Sequence, residues 1–201
     1  MIEIRNLKKS YGKHMILHDL NLTVPDGCVY GMVGVNGAGK STLLRMLAGV
    51  LKADSGEILY DGQNVYENEN IKKKLFFLPD DPYYTINTSG KYLAELYKTY
   101  YDFDNSLFHR WCDNFSLSVN TPIHNFSKGM KRQMFVSLAL ASHPKYMLLD
   151  EAFDGLDPNA RHSFKCALAE LGKQNGCTTI IASHSLRELS DICTDFALIG
   201  N

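Results

Sequence analysis

The sequence predicts an α/β fold built on a parallel sheet, and three observations carry that prediction. Gly34-Val35-Asn36-Gly37-Ala38-Gly39-Lys40-Ser41 separates two glycines by four residues and follows them with Lys and Ser, the pattern of a phosphate-binding loop. An apolar stretch at 28–33 runs into this loop, and a helical pattern at 41–48 leaves it, ending near Gly49. Much further on, Tyr146-Met147-Leu148-Leu149-Asp150-Glu151 is an apolar strand that ends in two acids. Such a carboxylate at the C-terminal edge of a parallel strand faces the crevice where ligands sit.

The remaining elements follow in order. Leu20, Leu22 and Val24 alternate with polar residues ahead of the turn Pro25-Asp26-Gly27, so the first stretch reads as strands and turns. Residues 56–60 form another strand, closed by Asp61-Gly62, and 74–79 a buried strand ending at a proline. From about 84 the character becomes helical. Tyr92, Leu93, Leu96, Tyr97 and Tyr100 recur at helical spacing, as do Leu107, Phe108, Trp111, Cys112 and Phe115. These aromatics read as the core of an inserted helical subdomain over 84–143, within a single domain covering 1–201. Strand-helix alternation resumes at Lys145 and continues through strands at 177–182 and 196–199.

Composition narrows the setting. With 45% hydrophobic and 21% charged residues the chain has an ordinary globular balance, and its formal net charge of −1 offers no field to gather nucleic acid. No apolar run approaches the roughly 18–20 residues needed to cross a bilayer, and Met1-Ile2-Glu3-Ile4-Arg5 has no signal-peptide pattern. A membrane role is therefore expected to come through a partner. The five cysteines form no C-x-x-C pair and are expected to be buried, reduced thiols.

The chemistry follows from residue type and spacing. Glycines let the loop backbone wrap a phosphate chain with its N–H groups, and the helix behind it adds its positive end. Lys40 is expected to reach the β- and γ-phosphates, and the Ser41 hydroxyl and Asp150 to ligate Mg²⁺. Glu151, beside the metal ligand, suits a general base for the attacking water. His184 follows another strand's C-terminal edge and is placed to stabilise charge at the γ-phosphate. The guanine motif N-K-x-D is absent. Phe126-Ser127-Lys128-Gly129-Met130-Lys131-Arg132-Gln133 opens an apolar-periodic helix (Met134, Leu138, Ala141), and Ser127 and Gly129 make a second anion site at its N-terminus. One nucleotide has no obvious use for both sites, whereas two chains packed head to tail would.

On these segments the chain closely resembles the ATP-binding-cassette ATPases, over nearly its whole length. Residues 34–42 correspond to the Walker A motif, including Gly34, Asn36, Gly37, Ala38, Gly39, Lys40, Ser41 and Thr42. Phe126-Ser127-Lys128-Gly129-Met130 resembles the family signature, usually Leu-Ser-Gly-Gly-Gln, and residues 147–151 resemble Walker B with its catalytic Glu. Gly155-Leu156-Asp157 looks like the D-loop, His184 like the switch histidine, and Tyr11 like the aromatic that stacks on adenine. The resemblance implies a P-loop NTPase (RecA-like) core, an N-terminal antiparallel β subdomain and an inserted α-helical subdomain. It implies two subunits that sandwich two ATP and drive a transmembrane permease from the cytoplasmic face. The second subunit is an identical or related cassette. The Ser-Lys-Gly-Met-Lys-Arg-Gln form resembles the exporter branch that handles drugs, peptides and bacteriocins.

Four departures stand out. Asp80 follows Leu78-Pro79 where the family usually has Gln, and it is a candidate Mg²⁺ ligand or a hindrance to transmission. Lys128 and Met130 replace signature residues, and Ala152-Phe153-Asp154 replaces the commoner Pro-Thr-Ser with small expected effects. The chain stops at Asn201, where family members usually continue. Tyr83 and Tyr84 are candidates for partner contact or for ordinary packing. The alternatives are a soluble ATPase of the same superfamily, a regulator that holds ATP without turnover, and a small-molecule kinase.

Overall fold

The computed structural model describes residues 1–200. In chain order the elements are β1 (Ile2–Tyr11), β2 (His14–Val24), β3 (Val29–Val33), α1 (Lys40–Leu47), β4 (Ser55–Tyr60), β5 (Gln63–Asn64), α2 (Glu69–Lys72) and β6 (Leu75–Leu78). Then come α3 (Gly90–Tyr97), α4 (Asn105–Asn114), a 3₁₀ turn (Ile123–Asn125), α5 (Lys128–Ala141), β7 (Tyr146–Asp150), α6 (Pro158–Asn175), β8 (Thr178–Ser183), α7 (Leu186–Leu189) and β9 (Asp195–Leu198).

Two sheets result. The first is antiparallel, in the order β2-β1-β4-β5; the second is parallel, in the order β6-β7-β8-β3-β9. Every residue of β3, β7 and β8 is buried, which explains their unbroken apolar runs: a parallel sheet is covered on both faces. Side chains then divide by the strand's period of two. On β7, Met147 and Leu149 enter the core formed with α5 and α6, while Tyr146 and Leu148 enter the core formed with α1 and the antiparallel sheet. Tyr146 meets Tyr60 edge-on at 4.6 Å, and the Tyr60 hydroxyl donates to the Leu47 carbonyl at 2.9 Å, so β4, β7 and α1 share one contact.

The helical core reading holds only in part. Leu93, Phe108 and Cys112 are buried, and Tyr97, Trp111 and Phe115 pack against them, but Tyr92, Leu96 and Tyr100 are exposed. Helix α3 ends at Tyr97, and the chain then turns so that Tyr101, not Tyr100, packs inward and donates its hydroxyl to the Leu75 carbonyl at 3.0 Å. Spacing put Tyr92 and Leu96 on one helix face; the short helix covers only the neighbouring stripe of Leu93, Ala94 and Tyr97. The cysteines are all free thiols, but burial describes only Cys112 and Cys177, whereas Cys166 is exposed. Burial raises the Cys112 thiol to about 12 and the Cys177 thiol to about 11, so both stay protonated at neutral pH.

Phe164 of α6 is fully buried against Phe153, with ring centroids 5.4 Å apart. Phe164→Ala is expected to cost roughly 3–5 kcal/mol through lost contact and a residual cavity, read as a lower urea midpoint.

Candidate active site

The C-terminal ends of β3, β7 and β8 lie side by side, with Asp150 in register with Ala182 and Val33 with Ser183. That register brings three distant segments to one edge. The loop after β3 turns at Ala38, whose N–H donates to the Val35 carbonyl at 3.1 Å. Gly39 adopts φ +98° at the start of α1, and a Cβ there would lie 2.7 Å from the Ile16 side chain on β2. Glycine is thus required both by the backbone and by the strand packed behind it. A cleft of 340 Å³ opens here, lined by Ile16, Asn36, Gly37, Gly39, Lys40, Ser41, Thr42, Asp80 and Glu151.

Within the cleft the charges form a compact set. Lys40 is buried; its Nζ donates to the Gly34 carbonyl at 2.7 Å and the Val35 carbonyl at 3.3 Å, and lies 3.8 Å from Glu151 Oε1. His184 Nδ1 lies 3.1 Å from Glu151 Oε2. Glu151 has a left-handed backbone, φ +48°, and its N–H donates to the Ala182 carbonyl at 2.9 Å. This turn, which carries a steric cost for any residue but glycine, takes Glu151 off the strand axis and sets it between Lys40 and His184.

Asp150 is buried, which raises its carboxyl above the usual range; the nearby Ser41 hydroxyl acts the other way. Its Oδ1 has no hydrogen-bond partner among the described residues. A buried, unpartnered carboxylate oxygen beside a hydroxyl is the oxygen donor set that suits Mg²⁺, so the residues fit that ion. Asp80 reaches the same cleft, but its Oδ1 accepts from Arg132 Nη2 at 2.9 Å, so this carboxylate belongs first to an ion pair.

Other expected residues stand apart. Tyr11 is exposed at the end of β1, with Lys9 Nζ 5.9 Å from its ring centroid, and it is not among the residues lining the cleft. Ile16 lines the cleft instead, a residue that carried no motif in the sequence. Ser127 caps α5, its Oγ accepting from the Met130 N–H at 3.2 Å, and together with Gly129 it lies outside the Lys40 cleft. Gly129 packs on the loop after β7: a Cβ there would meet the Gly155 carbonyl oxygen at 2.5 Å. Gly129→Ala is expected to push that loop away, costing about 1–3 kcal/mol of stability by thermal melting and lowering any turnover that depends on the loop. Unchanged melting would show that the loop yields without cost.

Of the departing residues, Asp80, Lys128 and Asp154 are ion-paired. Lys128 Nζ and Asp154 Oδ2 form an ion pair at 2.6 Å, and Asp80 pairs with Arg132. Ala152 and Phe153 are buried, Phe153 against Phe164. Tyr83 is almost fully exposed, whereas Tyr84 packs on Phe135, ring centroids 6.2 Å apart.

Residues 17–154 match the family model described as ABC transporter. The chain belongs to that family. As a member it is an ATP-binding cassette, and its reaction is ATP hydrolysis. It is 33% identical over 194 residues to the lantibiotic transport ATP-binding protein SrtF of Streptococcus pyogenes, covering 96% of this chain and 83% of SrtF. It is 30% identical over 194 residues to the ABC transporter ATP-binding protein YtrB of Bacillus subtilis (strain 168), covering 96% of this chain and 66% of YtrB. A solved ATP-binding subunit of an ABC transporter superposes over 100% of this chain and 86% of its own, with a TM-score of 0.90 at 24% identity, which supports the fold. Among the described residues no helix is long and apolar enough to cross a membrane.

Proposed function

We propose that this cassette binds Mg-ATP in the Lys40 cleft, hydrolyses it in a head-to-tail pair of cassettes, and powers export through a separate transmembrane permease. The observation that carries the reading is the convergence of Lys40, Ser41, Asp150, Glu151 and His184 at one sheet edge while Ser127 and Gly129 form a second helix N-terminus outside that cleft. Loop amides at 36–42 and the N-terminus of α1 hold the phosphates. Lys40 exchanges its carbonyl and carboxylate partners for the β- and γ-phosphates. Ser41 and Asp150 hold Mg²⁺, which when bound neutralises the developing phosphate charge. Glu151 accepts a proton from the attacking water at a carboxylate oxygen, and His184, beside it, supports charge at the γ-phosphate. The second anion site closes over the partner's nucleotide. SrtF, a lantibiotic transport ATP-binding protein by name, supports a peptide or drug as cargo; the cassette then sits against its permease on the cytoplasmic face.

The test is phosphate release from Mg-ATP by the purified chain at increasing concentration. Specific activity that rises with concentration supports the paired site. Activity per chain independent of concentration overturns the pairing, and none at any concentration, even with a co-purified permease, overturns the hydrolysis reading.

A further inference from the structure

Arg132 is an unusual residue to find in a core. It is 4% exposed, lies on α5, and its guanidinium gathers oxygens from two separate strand ends. Nη1 donates to the Pro79 carbonyl at 3.1 Å and the Asp150 carbonyl at 3.5 Å; Nη2 donates to the Asp80 carbonyl at 2.8 Å and to Asp80 Oδ1 at 2.9 Å. Strands β6 and β7 are paired neighbours up to Leu78 and Leu149, so the two segments bridged by Arg132 are their adjacent extensions beyond the last pair. One extension carries the buried carboxylate of Asp150, and the other carries Asp80 on the wall of the Lys40 cleft. The planar fork of a guanidinium spreads its donors over such a pair of segments in a fixed geometry, whereas a lysine gathers its three donors on one nitrogen and does not reproduce that fork. A buried guanidinium is tolerated only where its donors are met, so the chain at 79–80 is fixed by the same bonds that keep Arg132 inside.

We propose that Arg132 is a positioning residue for ATP hydrolysis: it fixes Asp80 and the Asp150 strand end to α5, so that the metal-side wall of the cleft and the signature helix keep one relative placement. The Lys128–Asp154 pair extends the same tie to the loop after β7. The phosphate loop takes no part in it, so nucleotide capture and the alignment for attack separate. The inference deepens the ATPase reading and rests on it for the kinetic arm of the test.

The experiment compares Arg132→Gln, Arg132→Lys, Asp80→Ala and the Asp80→Ala/Arg132→Gln double variant with the parent chain. Arg132→Gln is expected to lower kcat about 10–100-fold while KM for Mg-ATP stays within about threefold, because alignment is lost and phosphate binding is not. Arg132→Lys is expected to fall between, with a native melting profile, and it decides the matter if Arg132→Gln does not fold. The double variant is expected to be no slower than Arg132→Gln, since the two share one interaction. Hydrogen–deuterium exchange of the 76–84 segment, measured without nucleotide, is expected to rise in both Arg132 variants. Unchanged exchange, additive effects in the double variant, or a raised KM at constant kcat each overturns the proposal. A parent chain without turnover counts against the ATPase reading alone, because the exchange arm is read without ATP.

Discussion

Lys40→Ala is expected to abolish measurable Mg-ATP binding at concentrations that saturate the parent chain. Lys40 satisfies the Gly34 and Val35 carbonyls and sits near Glu151, so the protein itself holds its ammonium in place. A cation held ready in a buried position loses little conformational freedom on meeting a phosphate, which is why its bonds count fully. Two charge-assisted hydrogen bonds at roughly 1.5–3 kcal/mol each place the loss at about 100-fold in affinity or more. The substitution also takes from the Gly34 carbonyl its Lys40 donor, leaves the Val35 carbonyl only the Ala38 N–H, and removes the cation nearest Glu151, so the loop itself loosens. Lys40→Arg separates the two effects: it keeps the charge but misplaces it, and it should bind weakly with near-parent melting. Titration with a fluorescent ATP analogue reads both variants, and an affinity for Lys40→Ala within about twofold of the parent would remove Lys40 from the phosphate site.

The contrast between Lys40 and Arg132 shows what a linear sequence reveals. Lys40, Ser41 and the glycines around them act through contiguous backbone, so spacing alone states their geometry. β7 was equally plain, because a strand buried on both faces must be apolar throughout. The antiparallel sheet was fainter. β1 and β2 pair with three register shifts, which break the alternation that marks a strand. Helical spacing aligned Tyr92 with Leu96 but held no information on whether anything covers them. The ion pairs Asp80–Arg132 and Lys128–Asp154 join residues that only the packing of α5 against the ends of β6 and β7 brings together. Asp80, Lys128 and Asp154, each taken alone, read as departures from the family pattern. The left-handed turn at Glu151 had no signal either, since the residue there is not glycine.

Glu151→Gln is the substitution expected to stop turnover while leaving the nucleotide bound. Glutamine has the size of glutamate, so it can still bond His184, whose Nδ1 lies 3.1 Å from Oε2. It cannot take a proton from water at neutral pH, and losing a general base costs about 10²–10⁴ in rate. Affinity has a separate reason to survive. Glu151 Oε1 lies 3.8 Å from Lys40 Nζ, so the carboxylate competes with the incoming γ-phosphate for the same ammonium. Removing the negative charge relieves that competition and also reduces repulsion with Asp150, so Mg-ATP should bind at least as tightly as in the parent. Bound but unspent ATP then holds the two anion sites of a cassette pair together, and a species of twice the chain mass should elute in size exclusion with ATP and vanish without it. Steady phosphate release from Glu151→Gln within a factor of about three of the parent would show that the proton goes elsewhere, with His184 the next group to test.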